Sequence, residues 1–203
     1  MEPPEDLSFA TLRTDRLELR PLREEHGEGL WQAVVASQGD LYEWMPWARP
    51  PQREGTLAMA AAAADEWYRR STFSFVVLHL GVVCGIVSLK LFRPLQKSVE
   101  IGYHLRSDLK GRGLMTEAVG AVVRYAFEEE GLHRIELHAA VGNEGSIRVA
   151  EKNGFTRVGI ARLADPSPEG GWRDLIVFDL LESEWQSVTS ALGRIEELRE
   201  GEA

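Results

Sequence analysis

The sequence predicts an α/β protein in which helices pack on one sheet. Stretches in which apolar residues alternate with polar ones take turns along the chain with stretches in which they recur at helical spacing. The chain has 203 residues, 44% of them hydrophobic, which suits one core and no second domain. A glycine loop, Lys110-Gly111-Arg112-Gly113, joins a strand to a helix.

Leu17-Glu18-Leu19-Arg20-Pro21-Leu22 has the period of a half-buried strand closed by Pro21. Leu30, Trp31, Val34 and Val35 then set a helix within 24–37, and the alanine-rich run 56–70 predicts a second. Between them, Asp40 to Pro51 packs Tyr42, Trp44, Met45, Trp47 and three prolines into twelve residues and reads as a shaped loop. Phe73–Leu78 and Val82–Phe92, with Leu80-Gly81 between them, read as antiparallel strands, with Gly85 marking a bulge. Val99–Leu105 is a further strand containing Gly102, a residue that permits close approach by another backbone or a ligand. After the glycine loop, a helix with the inner face Ala118, Val119, Val122, Val123, Ala126 and Phe127 runs toward Gly131. Strands follow at 135–141, 155–160 and 175–181, and a short helix lies between Asn143 and Gly154. Ser183 and Gln186 form a capping box for a last helix, and the charged tail 194–203 is expected to fray.

With 32 acidic and 23 basic residues the net charge is −9, which argues against nucleic-acid or anionic-membrane partners and fits basic or neutral ones. The longest apolar stretch, Phe73 to Leu89, is interrupted by Ser74, His79, Gly81 and Gly85 and is too short to span a bilayer. The N-terminus is acidic and proline-rich where a secretory signal is basic and then apolar, so a cytoplasmic protein is expected. Cys84 is the only cysteine and, among apolar neighbours, reads as a small core residue. The five histidines show no metal-site spacing, and no metal is assigned.

A glycine loop at a helix start presents unpaired backbone N–H groups at the positive end of the helix dipole, which suits a phosphate. Gly111 and Gly113 let the backbone come close, and Lys110 and Arg112 add charge. Neither the Walker spacing nor the dinucleotide fingerprint is present. Taken alone, the loop could equally be a turn that starts a helix.

Its neighbours extend the pattern. Glu100-Ile101-Gly102-Tyr103, Lys110 to Ala118, Asn143-Glu144-Gly145-Ser146 and Glu151-Lys152-Asn153-Gly154-Phe155, in that order, resemble the GNAT superfamily of N-acetyltransferases. Leu12 to Arg20 and Glu43-Trp44-Met45-Pro46-Trp47 resemble its RimJ/RimL branch, which includes ribosomal-protein N-terminal acetyltransferases. The likeness covers about residues 11 to 185 of a single domain spanning 1–203. It implies a mixed, mainly antiparallel sheet flanked by helices, and transfer of an acetyl group from acetyl-CoA to an amine.

It also implies roles. The loop at Lys110, Gly111, Arg112, Gly113, Leu114, Met115 and Thr116 would cradle the CoA pyrophosphate, and the backbone of Tyr103, His104 and Leu105 would pair with the pantetheine arm. Asp108 departs from the family's motif and is expected to face solvent, with Lys110 and Arg112 compensating. Glu100 is the candidate general base, its alternative being a solvent-facing strand residue. Ser146 is the candidate proton donor beside the thioester sulfur, and Asn143 the pantetheine contact; both residue types also cap helices. Tyr103 is a second candidate donor. Trp44, Met45 and Trp47 could wall an acceptor groove or form a satellite core, and Asp174 is a further acceptor candidate.

The leading expectation is transfer to the α-amine of a basic protein N-terminus. Small-molecule amine acetylation by the same fold, a non-catalytic acyl-CoA-binding module, and a structural protein are the alternatives. Both monomer and homodimer fit the resemblance.

Overall fold

The computed structural model describes residues 11–45, 48 and 50–186. Eight strands form one sheet in the order β1-β2-β3-β4-β5-β6-β8-β7. They are β1 (Leu12–Arg13), β2 (Leu17–Pro21), β3 (Phe73–His79), β4 (Val82–Arg93), β5 (Ser98–Leu105), β6 (Arg134–Ala140), β7 (Thr156–Pro166) and β8 (Trp172–Leu181). Every neighbouring pair is antiparallel except β5 and β6. Parallel neighbours need a crossover, and α4 (Leu114–Glu128) provides it. The remaining helices are α1 (Gly27–Val35), α2 (Gln38–Trp44), α3 (Arg53–Tyr68) and α5 (Glu144–Lys152).

The main core lies between the sheet and α4. Phe75, Leu89, Ile101, Leu137 and Phe178 meet Ala118, Val119, Val122 and Val123, the face predicted from helical spacing. On the other side of the sheet, Leu30 of α1 and Ala60 and Ala63 of α3 pack on Val76, Leu78 and Ile86. β3 is therefore covered on both faces, which explains its unbroken burial from Phe73 to Leu78. Over β5, β6 and β8 that second face is polar, bearing Glu100, Glu136, His138 and Asp179. Among the described residues no helix is long and apolar enough to cross a membrane.

The bulge falls beside Gly85 as expected. Val77 pairs with Gly85 and Leu78 with Val83, so Cys84 is the extra residue. Gly85 has a steric reason as well, since a Cβ there would run into the His104 carbonyl oxygen of β5. Cys84 is buried, and burial pushes its thiol up to about 11.

Three expectations need correction. The segment read as a loop from Asp40 begins as a helix, α2. Its prolines all lie beyond Trp44, so no proline breaks the helix in 38–44, and the irregularity belongs only to the second half of the window. Strands β7 and β8 also run further than predicted, to Pro166 and from Trp172, because register shifts after Arg157 and Ala161 let pairing continue past residues that break simple alternation. The last helix is described at 182–186, so Ser183 lies inside it and does not cap it; the Glu184 carboxylate accepts the Leu181 N–H at 3.1 Å instead, and the tail 194–203 lies outside the described residues.

Candidate functional site

The two central strands part company halfway. β5 and β6 pair from Ser98 with Arg134 to Ile101 with Leu137 and no further. From there Gly102–Leu105 stay on β4, while His138–Ala140 stay on β8. The facing edges beyond Ile101 therefore have no strand partner, and a cavity of about 660 Å³ opens between them. Backbone N–H and C=O groups left unpaired on a strand edge are satisfied well by an extended ligand laid along it. Tyr103, His104 and Leu105 line this edge.

Two helix N-termini give onto the same cavity. Gly111 and Gly113 adopt φ of 75° and 76°, a left-handed backbone that favours glycine, and Gly113 caps α4 without any side-chain bond. The helical ladder starts with the Glu117 N–H on the Gly113 carbonyl at 3.0 Å, which leaves the N–H groups of Leu114, Met115 and Thr116 ahead of it. At α5, Asn143 Oδ1 accepts the Ser146 N–H at 3.1 Å, so Asn143 does cap its helix. Lys110, Arg148 and Lys152 line the cavity on this side. Two positive helix ends and three cations suit a polyanion. The Arg112 side chain is exposed and is not among the lining residues, although its carbonyl accepts from Arg16 Nη1 at 2.9 Å.

The loop is braced from outside the motif. Arg16 Nε donates to Glu117 Oε2 at 2.7 Å, and the Thr14 hydroxyl donates to Glu117 Oε1 at 2.5 Å. Desolvation opposes the charge on Glu117, but the Thr14 and Arg16 bonds outweigh it and hold the carboxyl below the usual glutamate range. Asp108 does face solvent, yet its compensating cation is Arg106, at 2.9 Å. Lys110 is engaged instead with Asp40 of α2, 2.8 Å away.

At the inner end, Tyr103 Oη lies 2.9 Å from Ser146 Oγ. Burial pushes the Tyr103 phenol up to about 12, which keeps it protonated and able to donate. Glu100 lines the cavity with its side chain only 13% exposed, between Lys90 Nζ at 3.0 Å and His138 Nδ1 at 3.4 Å. It does not stand on an open solvent face. Desolvation of the neighbouring His104 ring pushes its pKa down to about 4, so it is neutral.

Trp44 and Met45 line the mouth, while Trp47 lies outside the described residues. Arg173 anchors this wall: its two Nη atoms donate to the Glu43 and Trp44 carbonyls at 2.9 and 2.6 Å, and its Nε donates to Asp165 at 2.7 Å. Asp174 does not join them. Strand alternation turns Arg173 and Leu175 toward the cavity and Asp174 away, where its carboxylate accepts the Leu163 N–H at 2.8 Å. The acidic side chain expected near the acceptor is thus turned from the cavity, and Arg173 lines it instead. His138 also lines the cavity, and no local motif in the sequence marks it. Among the described residues no group of three or more His, Cys, Asp or Glu side chains is placed to hold a metal ion.

Residues 16–156 match the family model described as an acetyltransferase (GNAT) domain. The "Putative ribosomal N-acetyltransferase YdaF" of Bacillus subtilis (strain 168) is 31% identical over 182 residues, covering 88% of this chain and 98% of that protein. The ribosomal-protein-serine acetyltransferase of Escherichia coli (strain K12) is 26% identical over 153 residues, with 75% of this chain and 86% of that one covered. Among solved structures, the ribosomal L7/L12 alpha-N-protein acetyltransferase RimL in complex with coenzyme A superposes with a TM-score of 0.79 at 22% identity, covering 85% of this chain and 98% of its own.

Proposed function

The chain belongs to the GNAT family of acetyltransferases, and from that premise we propose that it moves the acetyl group of acetyl-CoA to the α-amine at the N-terminus of a basic protein, in the cytoplasm. The observation that carries this reading is the fork between β5 and β6, with two helix N-termini at one end and Glu100 and the Tyr103–Ser146 pair at the other. The N–H groups from Arg112 to Thr116, with Lys110, hold the pyrophosphate. The free edge of Tyr103, His104 and Leu105 takes the pantetheine arm, with Asn143 closing the other side. This brings the thioester beside Ser146.

Aminolysis of a thioester needs a neutral amine, a fixed approach and a proton for the leaving thiolate. Glu100 takes a proton from the incoming ammonium, and an α-amine, with an ordinary pKa of ~7.7–8.0, gives it up far more readily than a lysine at ~10.4. The hydroxyl pair of Tyr103 and Ser146 returns a proton to sulfur. Trp44 and Met45 wall the acceptor entrance, and the surplus of nine negative charges draws basic peptides. A relative named for a ribosomal-protein substrate supports that choice of acceptor.

The test is thiol release from acetyl-CoA against unblocked basic peptides, N-terminally blocked lysine peptides, polyamines and amine antibiotics, with calorimetric binding of acetyl-CoA alongside. Turnover confined to unblocked peptides is expected. Turnover on small amines alone would move the acceptor to that class, and tight binding without any turnover would leave an acyl-CoA-binding module.

A further inference from the structure

The proposed reaction has a proton balance that passes through Glu100. An acceptor that arrives as R–NH3+ and leaves as R–NH–CO–CH3 sheds two protons, of which the CoA thiolate takes one. One H+ per turnover must leave the cavity, or Glu100 stays protonated and the base is spent after a single cycle.

A route lies beside it. Glu100 of β5 and Glu136 of β6 are direct partners in the parallel ladder, and His138 follows Glu136 by two residues on the same face. The imidazole sits between the two carboxylates, with Nδ1 at 3.4 Å from Glu100 Oε2 and Nε2 at 3.8 Å from Glu136 Oε2. Like charges side by side on neighbouring strands repel, so an acid pair here needs a reason. Glu100 lines the cavity of the fork, whereas Glu136 lines a separate cavity of about 560 Å³ at the other end of the strand pair. There Glu136 Oε1 meets Arg93 Nη1 at 3.1 Å, and Arg134 bridges it to Asp179, 3.6 and 2.9 Å away. The charged groups around His138 are thus Glu100 on β5 with Lys90 of β4 behind it, and Glu136 on β6 with Arg93, Arg134 and Asp179 behind it.

We propose, resting on the acetyl-transfer reading above, that His138 is the relay by which the proton taken up at Glu100 crosses to Glu136 and leaves through the second cavity. Imidazole suits this because it accepts at one ring nitrogen and releases from the other. Glu100 Oε2 gives its proton to Nδ1, Nε2 gives one to Glu136 Oε2, and Glu136 yields it to solvent. The ring regains its starting tautomer by exchange with water. The C–N bond forms as the C–S bond breaks, and the sum is R–NH3+ plus acetyl-CoA to acetylated amine, CoA thiol and H+. Both nitrogen–oxygen gaps exceed a good hydrogen bond, so each hop needs a small side-chain movement or one bridging water.

The experiment compares wild type, His138→Gln, His138→Asn and Glu136→Gln in repeated turnover on an unblocked basic peptide at saturating acetyl-CoA, with and without added imidazole. The expected result is a kcat at least tenfold lower in each variant, a peptide KM and acetyl-CoA Kd within about twofold of wild type, and recovery of most of the rate by imidazole, a small diffusible proton carrier. The first turnover, measured by rapid quench, should keep near wild-type speed, since Glu100 starts each enzyme as a free base. Unchanged kcat in the His138 variants, or a loss that imidazole does not mend and that appears equally in the first turnover, would overturn the relay. A wild-type protein that binds acetyl-CoA and acetylates nothing in the panel would overturn the acetyl-transfer reading itself, and the relay with it.

Discussion

At the scale of single residues, chemistry is decided by what each side chain faces. Glu100 stands between Lys90 and His138 at the cavity wall, where a carboxylate can accept a proton from an entering ammonium. Glu100→Gln should lower kcat between about 10²- and 10⁴-fold while leaving acetyl-CoA affinity unchanged, as steady-state kinetics and calorimetry will show. A variant as fast as wild type would remove Glu100 from the reaction. His104 illustrates the opposite effect, a titratable group held neutral. Its pKa is near 6.5 when unfolded and about 4 when folded, so above pH 6.5 neither state is charged and the residue carries no penalty. As pH falls from 6.5 toward 4, only the unfolded state gains the proton, and stability declines by up to about 3 kcal/mol. Urea midpoints across that window should fall for wild type and fall much less for His104→Leu.

At the scale of elements, the glycine loop and α2 divide the labour of binding in the proposed reaction. Gly113 holds a left-handed turn that brings the first N–H groups of α4 to the cavity. Gly113→Asp, which adds a Cβ and a negative charge at that helix end, should weaken acetyl-CoA binding at least about tenfold, roughly 1.4 kcal/mol by calorimetry. α2 is fastened at both ends, by Lys110 to Asp40 on the loop side and by Arg173 to the Glu43 and Trp44 carbonyls on the β8 side. Arg173 is only 17% exposed as a side chain, so its bonds are well shielded. Arg173→Ala should raise the acceptor KM by about fivefold, in keeping with the ~1 kcal/mol of a typical lost hydrogen bond, and spare the acetyl-CoA Kd. Equal damage to both constants would mean that α2 serves the cavity as a whole.

At the scale of the whole molecule, one sheet carries two different faces. The α4 side is a continuous apolar core, and the opposite side changes from apolar over β3 and β4 to polar over β5, β6 and β8. The proposed chemistry sits where that polar half meets the fork. Net charge acts at this scale too, because a surplus of nine acids attracts a basic peptide at long range and salt screens the attraction. The KM for a basic peptide should therefore rise severalfold between about 0.05 and 0.5 M salt, with kcat nearly constant. A KM indifferent to salt would leave local contacts as the source of acceptor preference.

Much of this was legible in the sequence because it is local. Alternation placed the first strand, β-branched and aromatic content placed the two that follow, the 3.6 period found the inner face of α4, and Gly111 and Gly113 announced the loop before α4. What depends on contacts between distant segments was not legible. The brace from Thr14 and Arg16 to Glu117 spans about a hundred residues, and Arg173 reaches back about 130 to α2. No periodicity records such distances. Asp174 is an acceptor candidate by the family resemblance alone, and only the pairing of β8 decides that Arg173 and not Asp174 faces the cavity. His138 had no motif at all, and its meaning appears when the parallel pairing of β5 and β6 sets it between Glu100 and Glu136. The sequence by itself determined most of the elements and the loop, since these follow from residue type and spacing along the chain, and its motifs carried the resemblance to the family. Only the tertiary structure decided where the strands part, which side chains meet there and what holds the walls, because those depend on register between strands that the chain brings together from far apart.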